Sequence, residues 1–115
     1  MEPLYNQKGA TYAWLHLTGN VYSLDGVALA FVEEEGVYDW EGRHIGWWAD
    51  GHMRDAMGAV CLFSRDATNT GVVKPVNELH QQRPLNLTAP PMRPLRWPRP
   101  ARPPSLWTWS QKMPF

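Results

Sequence analysis

The chain has 115 residues, 43% of them hydrophobic and seven of them Trp, with a formal net charge of zero. That length holds one domain with a modest core and excludes two. A single cysteine, Cys61, excludes an internal disulfide and any metal site built on paired thiolates.

The first half is a repeat. Gly9, Gly26, Gly42 and Gly58 lie 17, 16 and 16 residues apart, each at the same place in a phrase: LYNQKGATYAWL, VYSLDGVALAFV, VYDWEGRHIGWW and MRDAMGAVCLFS. In chain order, a first strand opens each unit at Leu4-Tyr5, Val21-Tyr22, Val37-Tyr38 and Met53-Arg54. A polar residue follows (Asn6, Ser23, Asp39, Asp55), then a turn closed by the glycine, which reaches positive φ without a Cβ penalty. A second strand carries the triplets Tyr12-Ala13-Trp14, Leu29-Ala30-Phe31, Ile45-Gly46-Trp47 and Cys61-Leu62-Phe63. Strict alternation puts the outer members of each triplet on one face and the small middle residue on the other. The aromatic positions are therefore expected to form a shared core around a pseudo-fourfold axis. Thr18-Gly19-Asn20, Glu35-Gly36 and Asp50-Gly51 supply the turns between units. One hairpin is marginal alone, whereas four can bury a common face.

The remainder is different material. From Lys74 onward there are ten prolines, a density that forbids helix and central strand and favours extended polyproline II. Residues 1–70 carry four Lys/Arg against ten Asp/Glu, a net of −6; residues 71–115 carry seven against one, a net of +6. A basic tail beside an acidic body attracts it, within one chain or between chains. The apolar Leu95, Trp97, Leu106, Trp107 and Trp109 argue that the tail docks on something. The closing SLWTWS is a candidate last strand.

Candidate chemistry is sparse. Arg54 stands where the other units have Tyr5, Tyr22 and Tyr38, beside His52 and Asp55. A buried ion-pair hub is its first reading, and a cationic fork for an anionic ligand its second. A ligand site would draw on His52, Arg54, Asp55, Asp39 and Trp48. His16, His44, His52 and His80 form no HxH or HExxH pattern, so no metal centre and no cofactor are expected. Cys61 lies among apolar residues as an inert thiol, and no serine has elbow glycines around it. Glu33-Glu34-Glu35 reads as a solvated edge. In the tail, Pro91-Met92-Arg93-Pro94-Leu95-Arg96 matches ligands of SH3-like grooves in a stretch where such matches arise by chance. Trp among Arg also has the composition of interfacial peptides.

The phrases VYSLDG, VYDWEG with RHIGWW, GHMRD, LFSRDATNTG and the closing SLWTWS resemble the 4-fold beta flower proteins, a bacterial family with no assigned activity. The resemblance covers nearly the whole chain. It implies four β-hairpins in a petal-like ring with an extended tail, and it brings no catalytic or cofactor residue. The tail departs from the family's usual Val-Pro or Val-Lys periodicity, with Arg, Pro and Trp in its place.

The sequence thus specifies an all-β fold. Four consecutive antiparallel β-hairpins form a pseudo-fourfold ring over residues 1–71, followed by an extended Pro-rich C-terminal arm over 72–115. It points to a non-enzymatic interaction or assembly module. Arg93, Arg96, Trp97, Arg99, Arg102, Trp107 and Trp109 of the arm would pack on its own body, a neighbouring subunit or a protein partner. The alternatives are the ligand site around His52, Arg54 and Asp55, and an arm that binds nucleic acid or a membrane surface. The N-terminus lacks the basic-then-apolar pattern of a signal peptide, and no window approaches the roughly 18 apolar residues of a membrane span, so a cytoplasmic location is expected.

Overall fold

A computed structural model describes residues 1–75 and 83–115; His80 lies outside the described residues. The first 63 residues form eight strands: β1 (Glu2–Tyr5), β2 (Thr11–Leu15), β3 (Asn20–Tyr22), β4 (Ala28–Glu33), β5 (Gly36–Tyr38), β6 (His44–Ala49), β7 (His52–Asp55) and β8 (Val60–Phe63). Each pairs antiparallel with the next, and Tyr5 opposite Phe63 joins β1 to β8, closing a barrel. The four hairpins are the four petals.

Every petal tip uses the same chemistry. In the third, Asp39 N–H donates to Arg43 O, Gly42 N–H donates back to Asp39 O, and Asp39 Oδ1 accepts from the amides of Glu41 and Arg43. Asn6 and Asp55 repeat the side-chain bonds in petals one and four, and Ser23 makes one of them in petal two. The polar residue before each glycine is thus an Asx- or Ser-type turn that satisfies tip amides. Between petals, Glu34 and Glu35 have φ of 48° and 68° and Asp50 and Gly51 have 52° and 75°. These are the left-handed pairs of the two-residue turns whose twist matches antiparallel strands.

The core differs from the alternation reading. Leu4 pairs with Ala13, Val21 with Ala30, Val37 with Gly46 and Met53 with Leu62. These residues, not the aromatics, form the axial layer: Leu4, Ala13, Val21, Ala30, Val37, Met53 and Leu62 are all fully buried in one cluster. Immediately beyond that pair every hairpin slips by one residue, leaving Tyr12, Leu29, Ile45 and Cys61 unpaired. This is a β-bulge repeated four times. It bends and twists each short strand, as closure of a small barrel requires. It also breaks the period of two, so the bulged residues pack against the axial cluster instead of lying with Trp14, Phe31 and Trp47. Gly46 has a packing reason as well: a Cβ there would stand 2.5 Å from Arg54 O of the neighbouring strand.

The displaced aromatics form a second shell at the petal boundaries. Across those boundaries Trp14 lies opposite Tyr22, Phe31 opposite Tyr38, Trp47 opposite Arg54, and Phe63 opposite Tyr5. Phe31 and Tyr38 stack with centroids 5.5 Å apart, and Tyr5 and Phe63 lie 5.6 Å apart. Met113 and Phe115 pack against the core cluster, and Tyr12 O–H donates to Phe115 O. SLWTWS contributes one isolated parallel bridge, Val60 to Trp109, and not a full strand.

Candidate functional site

Arg54 occupies the tyrosine position at the boundary between the third and fourth petals, with only 3% of its surface exposed. Its Nη1 donates to Gly58 O at 2.6 Å and Leu106 O at 2.8 Å, its Nη2 to Thr70 O at 2.9 Å and more distantly to Asn69 O, and its Nε to His52 Nε2 at 3.1 Å. No carboxylate pairs with it within 4.0 Å among the described residues. Its charge is compensated by carbonyl dipoles of a turn, a loop and the arm. The hub is therefore built from main-chain carbonyls and His52, not from an ion pair with Asp55. Since Nε–H donates to His52 Nε2, the His52 proton sits on Nδ1, facing Asp50 O at 3.4 Å. Burial, then the Arg54 charge, holds the His52 pKa below its ordinary value against the Asp50 bond.

The other residues of the expected ligand site are spent elsewhere. Asp55 Oδ1 caps its own petal tip and its Oδ2 accepts from Ser110 Oγ at 2.6 Å. Asp39 caps the third tip and pairs with Arg43 at 2.8 Å. Burial acts to raise its carboxyl, but the hydrogen bonds from Arg43 and Glu41 outweigh this and leave the pKa lowered. Trp48 packs on the core cluster and lines a hollow with Leu15 and Val32. His52 and Arg54 come together; the structure does not gather Asp39 and Trp48 around them. Cys61 is buried and donates to Met53 O, and burial pushes its thiol up to about 12.

The arm makes the densest polar contacts. Three petal-tip glycines receive it at a constant interval: Gly26 O accepts from Thr88 N, Gly42 O from Trp97 N and Gly58 O from Leu106 N, at 2.9, 2.9 and 3.1 Å. The interval is nine residues each time. At each tip the arm chain lies so close that a Cβ on the glycine would collide with a carbonyl oxygen, that of Asn86, Leu95 or Pro104.

Between the second and fourth tips the arginines turn toward the body. Arg93 pairs with Glu33 at 2.7 Å, donates to Thr18 O and Asn20 Oδ1, and lies 5.0 Å above the Phe31 ring. Arg96 reaches Glu33 at 3.2 Å and Glu34 at 3.3 Å and lies 5.6 Å above Tyr38. Arg99 donates to Glu34 O and stands 3.9 Å from its carboxylate, and Arg102 stands 3.8 Å from Glu35. Residues 93, 96, 99 and 102 are three apart, the repeat of a polyproline II strand, so all four project from one face. Trp109 packs on Phe63 at 5.9 Å, and Trp107 covers Gly71. Trp97 and Trp107 remain largely exposed.

Local pattern reading missed this register because the repeated element is main chain. Thr88, Trp97 and Leu106 share no side-chain chemistry. One signal was present: the three-residue arginine spacing at 93, 96, 99 and 102, in a chain that also carries three consecutive glutamates. Those glutamates are not merely a solvated edge.

Among the described residues, no group of three His, Cys, Asp or Glu stands close enough to hold a metal ion, and no helix is long and apolar enough to cross a membrane. No curated protein and no solved structure matches the chain. The family described as 4-fold beta flower protein matches residues 2–114. With that match over nearly its whole length, and eight antiparallel strands closing four petals, the chain belongs to the 4-fold beta flower family.

Proposed function

We propose that the protein is a non-catalytic interaction and assembly module, a rigid ring that displays its arm. The carrying observation is the division of the arm's side chains. Arg93, Arg96, Arg99 and Arg102 and the amides of Thr88, Trp97 and Leu106 face the body, while Met92 is 93% exposed, Leu95 94% and Trp107 81%. An extended strand fixed along one face offers large apolar groups on the other at little further entropic cost, the condition for an interface anchor. Four arm arginines lie against Glu33, Glu34 and Glu35, which leaves less positive charge for nucleic acid or lipid and favours a protein surface. The lone buried thiol suits a reducing, cytoplasmic setting.

The test is light scattering after size exclusion over a concentration series, on the full chain and on Trp97→Ser/Trp107→Ser. Self-association of the full chain, lost in a double variant of unchanged melting temperature, is the expected result. Identical monomers at every concentration would remove the arm's outer face from assembly.

A further inference from the structure

The sequence offers a polyproline ligand, and the body supplies a groove that binds one. Its floor is the stacked pair Phe31 and Tyr38, its rim is Glu33, Glu34 and Glu35, and the carbonyl of Gly42 fixes the strand at Trp97. We infer that this groove is a reader of extended, proline-spaced peptides with arginine at every third residue, and that it accepts such a segment from a separate protein when its own arm lifts.

Recognition of polyproline II strands needs three things, and the groove has each. An aromatic floor takes the flat faces of the strand, here with guanidinium groups 5.0 and 5.6 Å from ring centroids. Clustered carboxylates collect the basic side chains of one strand face, as the single turn Glu33 to Glu35 does for residues 93, 96, 99 and 102. A fixed main-chain acceptor sets the depth, as Gly42 O does for Trp97 N. None of these contacts depends on the covalent link, because Glu33 and Arg93 are 60 residues apart.

The arm is also displaceable there. Apart from the half-buried Arg96–Glu33 contact, the pairs beyond Arg93 go to exposed carboxylates, with the Glu34 side chain 70% and Glu35 66% accessible. Exposed pairs of this kind contribute about 0–1 kcal/mol each. Tethering gives the arm an effective concentration of order millimolar, so a free peptide competes well only when the arm is weakened. This inference concerns the body-facing groove and stands apart from the exposed face of Trp97 and Trp107, so either fails without the other.

The experiment titrates a fluorescein-labelled peptide of residues 91–104 into the full chain and into Arg96→Gln/Arg99→Gln, following anisotropy, with circular dichroism to establish the fold. The loosened chain should bind at least about tenfold tighter than wild type, because its groove is free for a larger fraction of the time. Binding should weaken with salt and fall several-fold when Glu34→Gln and Glu35→Gln are added. Where the double variant does not fold, Arg99→Gln alone gives the same comparison with a smaller shift. A folded, loosened chain that binds no better than wild type would overturn the inference, as would binding indifferent to Glu34 and Glu35. Dimers of the loosened chain that ignore free peptide would assign the groove to the arm of a second copy, and equally overturn it.

Discussion

Replacing Arg54 by leucine keeps a side chain of moderate size in the barrel wall and removes the whole donor set. The three short bonds to Gly58 O, Leu106 O and Thr70 O disappear together with the one to His52. Gly58 O keeps the amide of Leu106 as a partner; the carbonyls of Leu106 and Thr70 lose the guanidinium. Hydrogen bonds to a charged group contribute about 1.5–3 kcal/mol each, and burying the guanidinium takes back several kcal/mol. The balance is a loss of about 3–5 kcal/mol on truncation, a large share of the 5–15 kcal/mol typical of a domain. With a urea m-value of about 1.5 kcal/mol/M, the midpoint should fall by about 2–3 M. Arg54→Tyr, which restores the residue of the other three petals, should recover little of this, because one hydroxyl serves one of the acceptors. Urea titration followed by tryptophan fluorescence and circular dichroism reads both variants. A midpoint within about 0.5 M of wild type for Arg54→Leu, or a tyrosine variant more stable than wild type, would refute the hub.

Two further outcomes follow from the geometry. Burial lowers the pKa of both His52 and His44 in the folded state, with Arg54 adding to the effect at His52 and Arg99 at His44. The unfolded chain therefore takes up these protons first, so this stability is complete above the ordinary value of 6.5 and is lost as pH falls through the lower folded values. The melting temperature should drop between about pH 7.5 and pH 5, less so in His44→Gln/His52→Gln, and a flat profile would contradict the assignment. His44 Nε2 is buried without a hydrogen-bond partner, so a proton there gains no compensation. Separately, Gly42→Ala places a Cβ against Leu95 O at a φ of 88°. It should cost about 1–3 kcal/mol and speed hydrogen exchange at the Trp97 amide, whereas unchanged exchange would mean the arm does not rest on that tip.

The petals were legible because their determinants are local. Asn6, Ser23, Asp39 and Asp55 bond amides two to four residues on, and the glycine closing each tip follows three residues later. The repeat aromatics are buried as expected, but which residues line the axis was misread, for a reason equally local in appearance. A bulge is a relation between two strands, and nothing in Tyr12-Ala13-Trp14 alone says that Tyr12 will face no partner. The small middle residues Ala13, Ala30 and Gly46 carried the clue, since a residue held small in three of four repeats faces something that leaves no room. Around the candidate site, the departure of Arg54 from tyrosine marked the place, but its acceptors are carbonyls, which every residue owns and no sequence pattern advertises. The arm's partners were hidden by distance, since periodicity within one segment is silent about a surface 60 residues away.

The nine-residue interval has a geometric origin. Nine residues of polyproline II chain reach about 28 Å, which is also about a quarter of the circumference of a disc 36 Å across, the breadth of this molecule. The arm is therefore a belt graduated by the wheel, notched at three of its four tips. Losing one residue between notches moves every later notch off its tip.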